Sequence, residues 1–363
     1  MLEVIFLIFF SLYFIQSIVF LIGAFKKYPK LKNKNLPSAS VLVAARNEEH
    51  NILDCLESLD NIVYPEGKLE IIIVDDNSED STSDIVDKYI SGKEKFKLLR
   101  GTTPIGSLKG KANAIANGIK LSKNEIILTT DADCKVSPKW ASTLASYFTK
   151  DVAMVCGYTH QSFRNAFEGM QSLDFIYLLE VAGGTMNFNR PLSCIGNNMS
   201  YRKDVYDEVG GYEAIPFSVT EDFKMLMAIH DLKKYKIIYP IDEGGLVESK
   251  PCEDFKSLYW QKKRWGVGGL DSELIGLSVM GTGMITNLLI LFSPLFFSLN
   301  VLYLIIAKIF TDYFFLQQAH KKLKLPLTIK NFIAFELYFI FYVIALPTLL
   351  IFSKSVRWKG RKY

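Results

Sequence analysis

The sequence predicts an α/β domain with a mostly parallel sheet, set between membrane-spanning helices. Three observations predict it. Short apolar runs that end in acidic or polar residues alternate with segments of helical periodicity, the pattern of βαβ units in a sheet covered on both faces. Residues 4–25 and 274–307 carry no charge and reach or exceed the ~20 residues that cross a bilayer, and residues 332–352 carry only Glu336. Between these flanks, residues from 36 to 269 are charged as in an ordinary soluble protein.

The elements follow in order. Residues 40–45 form a β-branched strand that ends in Arg46-Asn47-Glu48-Glu49. A helix follows, with Ile52, Leu53, Leu56 and Leu59 on its inner face. Residues 71–74 form a second strand, ending in Asp75-Asp76-Asn77-Ser78-Glu79-Asp80, and Ser81, Thr82 or Ser83 can cap the next helix. Residues 96–99 are a third strand. A helix over 109–121 carries Lys109 and Lys111 at its start. The fourth strand, 125–130, leads into Asp131-Ala132-Asp133, whose two carboxylates share one side if the chain stays extended. Pro138 opens a helix with Ser137 as N-cap, and 152–156 is a further strand.

Beyond this point the pattern changes. Phe167, Met170, Leu173, Ile176, Tyr177 and Leu178 form an aromatic-rich helical face, either core or a surface for the membrane or an apolar acceptor. Gly196 marks a close backbone approach or a bulge. Thr220 precedes a helix with Glu221 and Asp222 in its first turn, where the helix dipole favours negative charge. Residues 256–269 are basic and amphipathic, an interfacial helix that Gly266, Gly268 and Gly269 should stop early. Ser293-Pro294 kinks or divides the long apolar stretch.

Charge and cysteine usage bound the compartment and the partners. No basic residue precedes the first span, while Lys26, Lys27, Lys30, Lys32 and Lys34 follow it, which places the following domain in the cytosol. That span is read as an anchor and not a signal peptide, because it lacks a basic n-region and a small-x-small site. The net charge of +4 resides mostly in these lysines and in Lys354, Arg357, Lys359, Arg361 and Lys362, suited to anionic membrane lipids and not to nucleic acid. The five cysteines are odd in number with no C-x-x-C pair, as expected of reduced thiols.

The charged residues cluster at the carboxyl ends of the strands, where open α/β sheets hold ligands. Asp131 and Asp133 offer hard oxygens for Mg²⁺ or Mn²⁺ and, through the metal, a diphosphate. A reaction with a diphosphate leaving group needs a cation for the leaving oxygen, a base for the attacking hydroxyl and cationic groups that hold the phosphates. Asp133 with Asp131, Asp222, and Arg264 with Lys111 can fill these roles, with Arg46 adding positive charge. A nucleotidyltransferase would want a glycine-rich loop where Arg46-Asn47-Glu48-Glu49 stands. A dinucleotide enzyme fails because Gly266-x-Gly268-Gly269 follows no strand. A non-catalytic scaffold needs no Asp131, Asp133 and Asp222 together.

Six motifs in this order resemble the family 2 membrane glycosyltransferases: Ala44-Ala45-Arg46-Asn47-Glu48-Glu49, Val74-Asp75-Asp76-Asn77-Ser78, Lys109-Gly110-Lys111-Ala112-Asn113-Ala114, Asp131-Ala132-Asp133, Thr220-Glu221-Asp222 and Gln261-Lys262-Lys263-Arg264-Trp265, a Q-x-x-R-W signature. The resemblance implies a GT-A fold and inverting single displacement from a nucleotide sugar, usually UDP-linked, with Mg²⁺ or Mn²⁺. It implies that Ala44, Arg46 and Glu48 line the nucleotide pocket, that Asp76 binds the base, and that Lys111, Asp131 and Ala132 contact the donor. Asp133 with Asp131 would hold the metal. Asp222 would be the general base with Glu221 orienting its neighbours, and Gln261, Arg264 and Trp265 would close over the diphosphate. The implied plan is a membrane helix at 1–25, a basic linker at 26–37, the GT-A domain at 38–255, an interfacial segment at 256–273, two or three further spans at 274–353 and a basic tail at 354–363. The expected protein is integral to the plasma (inner) membrane, multi-pass, with its domain facing the cytosol. Donor choice is expected to depend on residues around Gly196-Asn197-Asn198. The expected acceptor is a single-sugar lipid, as in the ceramide glucosyltransferases and bacterial lipid or carotenoid glycosyltransferases; the alternative is the growing glycan of a poly-N-acetylglucosamine, cellulose or hyaluronan type synthase.

Overall fold

The computed structural model describes residues 1–216, 218–269, 274–353, 355–358 and 361–362. Residues 270–273 of the expected interfacial segment, and Lys354 and Lys359 of the basic tail, lie outside the described residues. The chain forms two compact units, one of Lys26–His160 with Ser193–Lys250, the other of Met1–Phe25, Gln161–Leu192 and Pro251–Tyr363.

The first unit is built on a sheet of seven strands in the order β3-β2-β1-β4-β8-β6-β9. These are β1 (Ala39–Ala45), β2 (Leu69–Asp75), β3 (Phe96–Arg100), β4 (Ile126–Asp131), β6 (Val152–Cys156), β8 (Met199–Arg202) and β9 (Lys236–Ile238). A small second sheet joins β5 (Lys135–Val136), β10 (Val247–Ser249) and β7 (Thr159–Gln161). The first four strands of the large sheet pair in parallel, and β8 runs antiparallel to β4 and β6. Register aligns their ends: Ala44 lies opposite both Val74 and Asp131, and Ala45 opposite Asp75. Every strand predicted from an apolar run is present, with its ends within two residues.

The helices of this unit are α2 (Ile52–Asp60), α3 (Thr82–Ile90), α4 (Gly110–Leu121), α5 (Trp140–Ser146), α7 (Lys203–Glu208) and α8 (Glu221–Asp231). In α2 the inner face is Ile52, Cys55, Leu56 and Leu59, while Leu53 is 45% exposed. Leu53 was expected inside, but the spacing i, i+3, i+4, i+7 belongs to the set that includes Cys55. α4 lies close on β1 and β2 because it is built of small residues: a Cβ on Gly118 would stand 3.0 Å from Val74 and 3.3 Å from Leu42. Ser137 does not cap α5. Lys139 takes the N-cap position, and Ser137 Oγ donates to Gly244 O at 2.9 Å.

Trp140, fully buried, donates from Nε1 to Asn198 Oδ1 at 2.9 Å. Asn198 Nδ2 donates in turn to Tyr158 O at 2.6 Å and Gly245 O at 2.9 Å. One side chain thus satisfies groups from three separate segments, and a Cβ on Gly157 would meet it at 2.6 Å.

The second unit is helical: α1 (Leu2–Ala24), α6 (Ala166–Met186), α9 (Phe255–Gly269), α10 (Leu274–Leu291), α11 (Leu299–Leu323) and α12 (Ile329–Phe352). Four of these, α1, α10, α11 and α12, are long and apolar enough to cross a membrane. The apolar stretch 274–307 is divided at a 3-10 turn, Ser293–Phe296, that contains Pro294. α1 and α6 touch backbone to backbone, since a Cβ on Gly23 would fall 2.0 Å from Gly184 O and one on Gly184 would fall 2.5 Å from Phe20 O. The α6 stripe is core: Met170, Leu173, Ile176 and Tyr177 are all buried. α9 does not stop at Gly266 but runs through Gly269, because Gly266 packs beside Leu346 and Leu350 of α12 and this contact outweighs the weak helix propensity of glycine.

Asn198→Ala removes the hydrogen-bond partner of the Trp140 indole N–H and the donor to Gly245 O, and leaves Tyr158 O with Val247 N as donor. The variant is expected to lose about 3 kcal/mol of stability, read as a lower thermal midpoint of the purified protein; a loss below about 1 kcal/mol contradicts the role given to Asn198.

Candidate active site

The carboxyl ends of β1 and β2 are joined by reciprocal bonds between the loops that follow them. Asn47, at φ 53°, donates from its backbone to Ser78 Oγ at 3.1 Å and accepts at Oδ1 from Glu79 N at 2.9 Å. Glu48 N donates to Thr82 Oγ1 at 2.7 Å, and Glu49 N to Asp80 Oδ2 at 3.1 Å. Glu48 is buried, and its Oε2 accepts from Asn51 Nδ2 at 2.7 Å. These bonds hold the loops as one rigid edge. On this edge Arg46 donates to Asp76 O at 3.1 Å, and Asp76 N donates to Ala45 O at 2.8 Å. Asp76 Oδ1 accepts from Thr102 Oγ1 at 2.9 Å. The structure thus brings Ala44, Arg46, Glu48 and Asp76 to one place, as expected, and adds Thr102, which the sequence reading passed over. Its signal was position alone: Gly101-Thr102-Thr103 directly follows β3.

The acidic cluster forms beside this edge. Asp131 is the last residue of β4, and residues 131–134 make a turn closed by Cys134 N donating to Asp131 O at 3.1 Å. The expected extended placement of Asp131 and Asp133 is therefore corrected: a turn, not strand alternation, sets their directions. Ala132 is 2% exposed, its methyl in the core. Burial, then the charges of Asp133 and Asp131, push the Cys134 thiol well above its usual range. That fits a thiol with no nucleophilic role.

Lys111, in the first turn of α4, reaches across to Asp131 Oδ1 in an ion pair and lies 3.8 Å from Glu221 Oε1. Burial works against its charge, but Asp131 and Glu221 outweigh burial and hold its pKa above the ordinary value. Asp222 is fixed by two backbone N–H groups: Gly196 N donates to Oδ2 and Phe223 N to Oδ1, both at 2.8 Å. Gly196 O accepts from Thr129 Oγ1 at 2.8 Å, which ties the loop to β4. A Cβ on Gly196 would stand 3.3 Å from both Asp222 Oδ2 and Lys111 Nζ, so this is a close backbone approach. The neighbouring asparagines are both buried and hydrogen-bonded. Asn197 Oδ1 accepts from Thr159 Oγ1 at 2.8 Å, and Asn198 belongs to the Trp140 network. At this loop the Gly196 backbone meets Asp222 directly, while Asn197 Nδ2 donates to Cys134 Sγ at 3.5 Å, beside Asp133.

Asp131 and Asp133 supply two hard carboxylates. No group of three or more potential metal-ligating side chains occurs among the described residues. This donor set fits Mg²⁺ or Mn²⁺, which keep several waters and take phosphate oxygens from the substrate as ligands. Gln261, Arg264 and Trp265 lie on α9 in the helical unit, where Trp265 stacks on Phe175 with ring centroids 5.4 Å apart.

Lys111→Met leaves Asp131 and Glu221 without their shared cation. The folded-state pKa of Lys111 is raised, so its contribution is fully present at neutral pH and is lost only above its ordinary pKa. The variant is expected to lose about 2 kcal/mol near pH 7.5, with a smaller deficit near pH 5, where the freed carboxylates take up protons. Thermal unfolding at both pH values checks this, and an equal deficit at both contradicts the pairing.

Comparison with known proteins places the chain. A profile of Glycosyl transferase family 2 matches residues 40–210, and one of Glycosyl transferase family group 2 matches residues 126–353. The chain is 27% identical over 262 residues to the probable glycosyltransferase YdaM of Bacillus subtilis (strain 168), covering 68% of this chain and 60% of that protein. It is 28% identical over 258 residues to the beta-monoglucosyldiacylglycerol synthase of Trichormus variabilis, covering 67% and 51%. It is 26% identical over 245 residues to the poly-beta-1,6-N-acetyl-D-glucosamine synthase of Staphylococcus epidermidis, covering 66% and 56%. The chain thus spans between half and three-fifths of the length of these relatives. Among solved structures, the mannosyltransferase PcManGT from Pyrobaculum calidifontis, in complex with GDP-Man and Mn²⁺, matches with a TM-score of 0.60 and 16% identity over 94% of this chain and 99% of that one, a likeness of fold. The second of these profiles covers more than half of the chain, and the chain belongs to Glycosyl transferase family group 2.

Proposed function

We propose that this chain is an inverting glycosyltransferase that moves a sugar from a nucleotide sugar, a UDP-sugar, to a lipid acceptor held at the membrane. The observation that carries the reading is the meeting of Lys111, Asp131, Glu221 and Asp222 around the Gly196 backbone at the carboxyl edge of the sheet. Asp222 is the general base. Both of its oxygens accept an N–H, and each keeps a lone pair, so the carboxylate is aimed and still able to take a proton. The acceptor hydroxyl gives its proton to Asp222 as its oxygen bonds to the anomeric carbon and the bond to the diphosphate breaks. Attack opposite the leaving group inverts the centre.

The remaining residues hold the donor. Asp76, oriented by the hydrogen bond from Thr102 Oγ1, is assigned to an N–H of the base. Ala44, Arg46, Glu48 and Ala132 border the nucleotide, and Lys111 sets positive charge beside the diphosphate. Asp131 and Asp133 would hold Mg²⁺ or Mn²⁺, which when bound neutralises charge on the leaving diphosphate. Glu221 steadies Lys111 and does not take the proton. Gln261, Arg264 and Trp265 are assigned to the donor diphosphate and the acceptor path by the motif alone.

The proposed setting is a multi-pass protein of the plasma (inner) membrane with the sheet unit on the cytosolic side, a reading supported by the four apolar helices and by the lysines after α1. The lipid acceptor is supported by the similarity to the glucosyldiacylglycerol synthase. A processive polysaccharide synthase is the second reading, supported by the similarity to the poly-N-acetylglucosamine synthase. The buried α6 stripe favours neither, because its aromatic residues serve the core.

The test is nucleotide release from UDP-, GDP- and dTDP-sugars by the purified protein, with Mg²⁺ or Mn²⁺ and with or without lipid extract. Release that depends on lipid and metal, and falls at least about a hundredfold in Asp133→Ala, is the expected result. Growth of a polymer without added lipid moves the acceptor to the second reading, and undiminished release by Asp133→Ala rules out its metal role.

A further inference from the structure

α6 carries a second stripe that faces α9. Phe167, Gln171, Asp174 and Phe175 are spaced i, i+4, i+7, i+8 and so lie along one side of the helix. Phe167 packs on Phe255 with ring centroids 4.6 Å apart. Gln171 holds the backbone of Cys252 from both sides, donating from Nε2 to its O at 3.0 Å and accepting at Oε1 from its N at 2.9 Å. Asp174, with no exposed side-chain surface, forms an ion pair with Lys262, whose side chain is 6% exposed. Phe175 stacks on Trp265, the planes 18° apart. The Lys262 ammonium lies 4.3 Å from the centre of the Trp265 ring and 5.2 Å from that of Tyr342.

Lys262 and Trp265 are three residues apart, so they occupy one side of α9. Gln261 and Arg264, also three apart, occupy the stripe rotated by about 100°. With the Lys262–Trp265 side held by α6, the rotation of α9 is fixed and the Gln261–Arg264 stripe has a defined direction, partly exposed at both residues. A clamp is needed because Gly266, Gly268 and Gly269 give the second half of α9 little intrinsic helical stability. A buried ion pair is a costly source of strength, and two apolar side chains would pack there without desolvating charge. What the pair adds is direction, since an ammonium between a carboxylate and an indole ring has few alternative positions.

We propose that Asp174 is a positioning residue of α9: by holding Lys262 against Trp265 it sets the rotation of that helix and so the direction of Gln261 and Arg264. This rests on the assignment of α9 to the donor diphosphate in the proposed function. Asp174 itself touches no substrate. Within Q-x-x-R-W the tryptophan and one unspecified position then serve as the packed side, and the glutamine and arginine as the ligand side.

The full chain in detergent tests this with the neutral double variant Asp174→Asn, Lys262→Met, which removes both charges and keeps the volumes. The readouts are the thermal midpoint, the dissociation constant of whichever nucleoside diphosphate, UDP or GDP, wild type binds with Mn²⁺, and KM and kcat for the matching donor. The expected result is a midpoint within a few degrees of wild type, with dissociation constant and donor KM raised about tenfold and kcat changed much less. A neutral pair with wild-type dissociation constant and KM overturns the proposal. Arg264→Ala separates the two layers: if it raises both constants and the neutral pair does not, only the positioning role falls, and if it changes neither, the assignment of α9 falls and the proposal with it. Should the double variant not fold, Asp174→Glu, which keeps the charges but moves Lys262 off the ring, replaces it; a raised donor KM at a wild-type midpoint supports the proposal and an unchanged KM overturns it.

Discussion

Carboxylates gathered at one edge of a sheet repel one another, and the ammonium of Lys111 counters that repulsion by standing against Asp131 and Glu221. Unit charges about 4 Å apart interact by about 4 kcal/mol at an effective dielectric near 20. Lys111 is delivered by α4, which can lie close on β1 and β2 because it is made of alanine and glycine on that side. The packing of a plain core helix thus fixes the electrostatics of the site. Asp222 depends on the same economy of space, since its Oδ2 accepts from Gly196 N at 2.8 Å where a Cβ would stand only 3.3 Å from that oxygen.

Much of this was legible in the sequence, and for one reason. A parallel strand buried on both faces must be apolar throughout, so β1, β2, β4 and β6 stood out, and the residues after them were marked as site candidates by position. What stayed hidden depended on contacts distant in sequence. The turn at 131–134 cannot be told from an extended end by composition. Ser137 looked like a cap but is engaged by Gly244, and the bonds of Asn197 to Thr159 and Cys134 and of Asn198 to Trp140 join residues that no spacing pairs. α9 keeps its helix through three glycines because α12 packs on it, a tertiary contact that overrides local propensity.

The helical unit shows a second kind of concealment. The aromatic character of α6 allowed either core or a surface for membrane or acceptor, and the residues of the stripe are buried inside the unit. One stripe meets α1 and α12, and another meets α9. Asp174 and Lys262 lie 88 positions apart with no motif at the aspartate, and nothing in sequence spacing pairs them. Charge in such a place is read from structure alone, and there it ties an unremarked aspartate to a helix whose motif was plain from the start.

The central claim is that Asp222 takes the acceptor proton while the rest of the cluster holds the donor. Asp222→Asn tests it most directly, because the amide keeps the shape and an oxygen to accept an N–H but cannot act as the base. Measured side by side, nucleoside diphosphate binding with Mn²⁺ should stay within about threefold of wild type, and transfer at saturating donor should fall by at least about a hundredfold. Near-normal turnover in this variant would contradict the account and return the role of base to another group.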